Sequence, residues 1–267
     1  MKKMRHIDND WSEKDVQFLA RYGIEVSVGY MSFDIEEDER YFEIRKHFEL
    51  KWGEYINSRD RYYYEYAKEE IDAADYCIIR TNYCCGYPQP ETDFKYLSVS
   101  FNGEEICPKC GCGRKQTNNL RVNKVSKHGF WGFSAWLFDE LFVSKKIYEE
   151  VFAPLGIEKR EVIKGGKVLE DIFQLVIPVI DESIDLSERE PVKCPVCGEI
   201  KYTPRQTQYS FFPLHNHPLP GIYKTKEYFG SGCEAFRQIV LSKEVAQKLI
   251  KSKDLKECWL IPCRREK

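Results

Sequence analysis

Two short segments have the residue types and spacing to do chemistry: Cys107-Pro108-Lys109-Cys110-Gly111 and Cys194-Pro195-Val196-Cys197-Gly198. Two residues between cysteines let both thiolates reach one tetrahedral zinc, and the N–H groups of the turn can donate to the sulfurs. A glycine directly after the second cysteine tolerates the positive φ that such a turn needs. A lone CxxC could be a redox pair. Two copies of CPxCG, outside a thioredoxin-like βαβ context, read as zinc knuckles.

Four ligands can be assembled in three ways. The knuckles share one zinc across the 83 residues between Cys110 and Cys194, or the first knuckle recruits Cys84 or Cys85, or the second recruits His215 and His217, with seventeen residues between Cys197 and His215. Cys112 is a further stand-in at the first knuckle. The shared site, Cys107, Cys110, Cys194 and Cys197, is preferred because it clamps both halves at equivalent points. His215 and His217 stand among Phe211-Phe212-Pro213, Pro218 and Pro220, the composition of an exposed loop, where a His-x-His pair is usually solvated.

Other candidates fail on inspection. Ser144 and Ser242 each follow an apolar strand-like run and precede a helical pattern, which is the preferred N-cap position. Neither has the Gly-x-Ser-x-Gly setting of a nucleophile elbow. Gly230-Ser231-Gly232 lacks the Lys-Ser/Thr that ends a P-loop. His6, His47 and His128 have no partner pattern, and the carboxylates of residues 34–39 read as a solvated helix start.

Leu141-Phe142-Val143-Ser144-Lys145 aligns without gaps with Ile239-Val240-Leu241-Ser242-Lys243, and apolar type is kept onward to Val162-Ile163 against Leu260-Ile261. Each copy reads as strand, Ser cap, helix, break and strand, with its two strands expected to pair in parallel. Tyr76–Arg80 and Tyr96–Phe101 alternate like strands, and Asn102-Gly103 reads as a tight turn. Tyr41, Ile44, Phe48, Trp52, Tyr55, Tyr63 and Tyr66 recur at helical spacing, predicting a long helix, interrupted near Gly53 or Asn57-Ser58, that runs to Asp72. Its tyrosines are expected to be core, not a base-stacking platform.

Composition bounds the class. The chain has 267 residues, a net charge of −2 and 42% hydrophobic residues, so it is neither disordered nor a general polyanion binder. Residues 1–75 carry 12 basic and 19 acidic residues, net −7, against +5 for the remainder. That asymmetry suggests an acidic helical region over 1–75, followed by a first CPxCG-plus-repeat segment over 76–180 and a second over 181–267. The longest apolar stretch, Ile172–Ile180, is too short to span a bilayer, and no signal-like apolar run follows the basic N-terminal residues. Eleven cysteines in a chain read as cytoplasmic point to metal ligands and buried thiols.

The duplicated CPxCG, each copy followed by an apolar-apolar-Val/Leu-Ser-Lys unit, resembles the double-CxxCG-motif family of uncharacterised bacterial proteins. Lys224-Thr225-Lys226-Glu227-Tyr228-Phe229-Gly230-Ser231-Gly232 is similar to the family's segment before the second unit. The family is related in pattern to immunity proteins of polymorphic toxin systems. The resemblance covers roughly residues 76–263, matches Cys107, Cys110, Cys194 and Cys197, and supplies no reaction. Cys84-Cys85 and Cys112 depart from its pattern.

The expectation is therefore an α+β protein: a helical N-terminal region on a duplicated strand-helix-strand body stapled by structural zinc. Its expected role is non-catalytic binding of another protein, with a basic toxin as the partner class. The rival readings are a zinc-dependent hydrolase using His215 or His217, and a zinc-ribbon nucleic-acid binder using Lys109, Arg114, Lys115, Arg121, Lys124 and Lys127. The net charge speaks against nucleic acid.

Overall fold

The structure is a computed structural model that describes residues 1–53, 56–184, 186, 190–203 and 221–263. It divides into two compact units, the first formed by Met1–Ala67 and the second by the described residues from Lys68 onward.

The first unit is a three-stranded antiparallel sheet packed under helices. Its elements are β1 (Lys2–Trp11), α1 (Glu13–Ala20), β2 (Gly29–Glu36), α2 (Glu39–Trp52), α3 (Ile56–Arg59) and β3 (Asp60–Glu65), with β1 in the centre. Asp38 caps α2 by accepting from the N–H groups of Arg40 and Tyr41. Tyr41, Ile44 and Phe48 then bury one helical stripe against Ile7, Trp11, Phe33 and Ile35 of the sheet.

The expected helix to Asp72 stops at Trp52. Gly53, at φ +56°, turns the chain out of the helix, and the tyrosine run becomes β3, pairing from Asp60 opposite Ile7 to Glu65 opposite Lys2. Aromatic residues suit a pleated, half-buried surface. Asp60 anchors the switch: it is buried and accepts from the Tyr41 hydroxyl at 2.7 Å and from the Arg45 guanidinium. Tyr62 is exposed, with Lys3 and Arg5 over its ring, so it is not core.

The second unit holds α4 (Lys68–Ala73), β4 (Tyr76–Ile79), α5 (Tyr96–Ser100), β5 (Phe130–Gly132), β6 (Leu141–Ser144), α6 (Lys145–Ile147), β7 (Glu158–Lys164) and β8 (Lys167–Val176). It continues with β9 (Pro191–Lys193), β10 (Ile200–Tyr202), β11 (Ile222–Lys224), β12 (Tyr228–Phe229), β13 (Ile239–Ser242), α7 (Lys243–Lys251) and β14 (Leu260–Pro262). A π-helical turn and a 3-10 turn extend α6 to Leu155. Tyr96–Ser100 is one helical turn rather than a strand, with Tyr96 and Ser100, four residues apart, both buried.

Two four-stranded sheets dominate, ordered β5-β6-β8-β7 and β11-β13-β4-β14, with every pairing antiparallel. The expected parallel pairing within each strand-helix-strand segment does not occur. Instead β8 lies between β6 and β7, and β4 lies between β13 and β14. In the first sheet the cause is local: Gly165 and Gly166, at φ +56° and +79°, turn β7 straight back into β8. The inserted strand then takes the slot that a crossover would have closed.

The registers of the two sheets correspond. Val143 faces Phe130 on one side and Phe173 on the other, while Leu241 faces Ile222 and Cys77. The backbone N–H groups of Ser144 and Ser242 donate to the carbonyls of Gly129 and Gly221, each at 2.8 Å. The gapless alignment fails at the last strand. Arg160 faces Gln174 in one sheet, whereas Ile261 faces Ile78 in the other, an offset of 101 where the earlier residues keep 98. Val162-Ile163 therefore do not correspond to Leu260-Ile261.

Ser144 and Ser242 cap their helices with the same backbone geometry, accepting from the N–H groups of Ile147 and Val245 at 3.3 and 3.4 Å. Ser144→Ala and Ser242→Ala should each cost about 1 kcal/mol. Thermal unfolding should show each variant melting about 2–4 °C lower, with the secondary structure unchanged by circular dichroism.

Candidate metal centre

The first knuckle leaves α5 through Phe101 and a 3-10 turn over Gly103–Glu105. The second is the turn of the β9–β10 hairpin, which pairs Lys193 with Ile200. Their backbones match bond for bond. The N–H groups of Cys107 and Cys194 donate to the carbonyls of Cys112 and Glu199, and those of Gly111 and Gly198 donate back to Cys107 and Cys194. Gly111 and Gly198 both adopt φ near +80°, +76° and +79°. At Gly111 a side chain would also collide with the carbonyl of Cys233, 2.1 Å from its Cβ position. Only glycine fits there.

The Sγ atoms of Cys107, Cys110, Cys194 and Cys197 all lie within 4.8 Å of one another. Cys107 and Cys194 are 3.8 Å apart, and Cys110 and Cys197 3.4 Å apart, across an 87-residue separation in sequence. Four sulfurs at about 2.3 Å from a tetrahedral ion are about 3.8 Å from each other, so this cluster could hold a metal ion. Four thiolates select a soft, tetrahedral ion such as zinc or iron.

The site lowers the proton affinity of one thiol in each knuckle. Cys194 is pushed down to about 6, chiefly by the backbone N–H groups of Cys197 and Val196, the latter 3.5 Å from its sulfur. At Cys107 burial opposes ionisation, but the N–H groups of Cys110 and Lys109 outweigh it and the thiol is lowered. Burial pushes Cys110 the other way, up to about 12. Cys107 and Cys194 are thus lowered while Cys110 and Cys197 are raised, and ligation of an ion would require all four deprotonated.

Two basic residues tie the site to its surroundings, Lys201, which motif reasoning missed, and Arg114, which it placed in a nucleic-acid-binding stripe. Lys201 is buried and donates to the carbonyls of Cys110, Gly232 and Glu234 at 2.9, 2.8 and 2.7 Å. Arg114 donates to the carbonyl of Ala235 at 3.1 Å and pairs with buried Asp139. Each stands seven residues after the first cysteine of its knuckle, so the signal lay in the spacing. Together they hold loop 232–235 against both knuckles, and Lys201 sets its ammonium on the carbonyl of Cys110.

The remaining cysteines stay outside the cluster. Cys112 is buried alongside it, with burial raising its thiol, and contributes its carbonyl to the knuckle turn. Cys84 is exposed, and Cys85 packs with Tyr83, Leu97 and Trp131 in a separate core. His215 and His217 lie outside the described residues. All eleven cysteines are free of disulfides, and no described helix is long and apolar enough to cross a membrane.

Purified protein should contain one metal ion per chain, measured by elemental analysis alongside the thiolate-to-metal absorption of a cobalt-substituted sample. Cys194→Ser should lose the ion and melt markedly lower, because binding and folding are coupled. Lys201→Met should keep the four ligands yet lose about 2 kcal/mol or more, through three broken charge-assisted hydrogen bonds, in denaturant titrations of the metal-loaded protein.

No family model matches this chain, and no curated protein or solved structure is similar to it.

Proposed function

We propose that this chain is a non-catalytic, zinc-stapled protein of the bacterial cytoplasm that binds another protein, with an immunity role against a basic toxin as the specific form. The observation that carries the reading is the closure of the metal centre. Four protein sulfurs within 4.8 Å of one another could occupy every position around a tetrahedral ion, which would leave none for water or substrate. Such an ion stabilises a fold; it does not activate a nucleophile.

The partner reading rests on the first unit. Its buried and half-buried carboxylates, Asp8, Asp15, Glu37 and Asp60, are paired internally with lysine and arginine. The exposed side of α2 is different: Glu39, Phe42, Glu43, Lys46 and Leu50 form a stripe at helical spacing, with Phe42 56% and Leu50 85% exposed. Apolar anchors with Glu39 and Glu43 beside Phe42 suit a partner that offers basic side chains around an apolar depression. The basic stripe that would favour nucleic acid is weakened in the fold, because Arg114 turns inward to Asp139 and Lys115 pairs with Glu105.

We also read residues 139–160 and 237–261 as copies of one strand-helix-strand unit, supported by matching caps and registers, with a three-residue insertion in the second. The shared metal would then staple two halves of common origin, as the resemblance to the double-CxxCG family implies.

Co-expression with the products of neighbouring genes should retain a basic protein at low salt and release it as ionic strength rises. Phe42→Ala with Leu50→Asp should abolish retention without changing metal content. Retention of no partner at low salt, or retention unaffected by the double substitution, would refute the proposed surface.

A further inference from the structure

Away from the sulfurs, a polar cleft of about 180 Å³ opens within the second unit. Its walls carry Arg114, Arg160, Lys224 and Arg237 together with Asp139 and Glu140, four cations against two anions. The anions are already engaged. Asp139 accepts from Arg114 and from the backbone N–H of Arg237, and Lys224 lies 3.6 Å away. Glu140 accepts from Lys224 at 2.8 Å and from Gln174 at 2.7 Å. Gln174 is in turn locked to Gln116 by a reciprocal pair of amide hydrogen bonds at 2.7 and 2.8 Å.

Two guanidinium charges are left over. Among the described residues the Arg237 guanidinium donates to the neutral carbonyls of Thr225 and Lys226 alone, and it lies over the Tyr228 ring, 4.0 Å from its centroid. Arg160, on the edge strand β7 opposite Gln174, is half-buried and has no hydrogen-bond or ion-pair partner among the described residues. Charges lining a low-dielectric cleft focus the field on whatever enters it, and a guanidinium fork suits the paired oxygens of a carboxylate or phosphate.

We infer that this cleft is a binding site for a small dianion, of the phosphate or short dicarboxylate class, with Arg160 and Arg237 supplying the unmatched positive charge. The volume limits the occupant, since pockets for drug-sized ligands run to about 300–1,000 Å³. The fixed network of Asp139, Glu140, Lys224 and Gln174 acts as the floor that holds the cations in place. The inference is independent of what the metal is and of what partner the first unit binds.

The test is calorimetric titration of the full-length, metal-loaded protein with inorganic phosphate and, separately, with succinate, against chloride at equal ionic strength. Saturable binding of one dianion per chain is expected, and the stronger of the two probes assigns the class. Arg160→Gln should weaken that binding by about tenfold or more, the usual scale for one charge-assisted contact. Arg160→Lys, which keeps the charge but not the fork, should recover part of it. An edge-strand position makes both variants compatible with folding, and an unchanged melting temperature confirms that for each. No saturable binding above the chloride control, or unchanged affinity in a folded Arg160→Gln protein, would overturn the proposal.

Discussion

Four sulfur atoms from two turns 87 residues apart converge within 4.8 Å, and that convergence ties together segments of the second unit far apart in the chain. Four thiolates so close repel one another unless a cation sits among them. The chain meets this in two ways: backbone N–H groups aimed at the sulfurs, and the buried ammonium of Lys201 close behind. A tetrathiolate around a divalent ion carries net negative charge, so a cation in its wall is electrostatically apt. Lys201 also has a mechanical part, because its three carbonyl acceptors belong to the first knuckle and to loop 232–235.

That loop links the metal centre to the rest of the unit. Arg114 reaches it from the first knuckle and Lys201 from the second, and it leads directly into β13. The far side of Arg114 pairs with Asp139, which stands just ahead of β6. Both strand-helix-strand segments are thus tied, through Arg114, to the first cysteine knuckle from which that arginine comes. The polar cleft shares these walls, so loss of the metal would loosen its floor as well.

The two sheets show how similar local sequence can be completed differently. Each has a cap serine at the end of a buried strand, a preceding glycine carbonyl that accepts the serine N–H, and a central strand inserted between two others. In one sheet the inserted strand follows its neighbours in the chain, through a Gly-Gly turn. In the other it comes from Tyr76–Ile79, well before them. The sheet needs an antiparallel strand of suitable apolar pattern in that slot, and chain order does not restrict where it comes from.

By itself the sequence determined the features governed by nearest neighbours. The two CPxCG turns, the glycines at positive φ, the serine caps and the helical stripe of Tyr41, Ile44 and Phe48 follow from backbone sterics and short-range hydrogen bonding, which act over about one turn of chain. The cysteine set was legible too, because two identical knuckles ask for a common ion. Tertiary structure decided what depends on distant partners. Residues 60–65 carry tyrosines at a spacing that a helix could use, yet they form a strand because β1 offers an open edge and Asp60 finds Tyr41 and Arg45. Tyr96–Ser100 alternates like a strand but has no strand beside it among the described residues, and it closes a helical turn instead. The inserted strands, the buried role of Lys201 and the surplus charge of the cleft are likewise settled only when separate segments meet. A pairing partner's position is a property of the fold and not of the local residues.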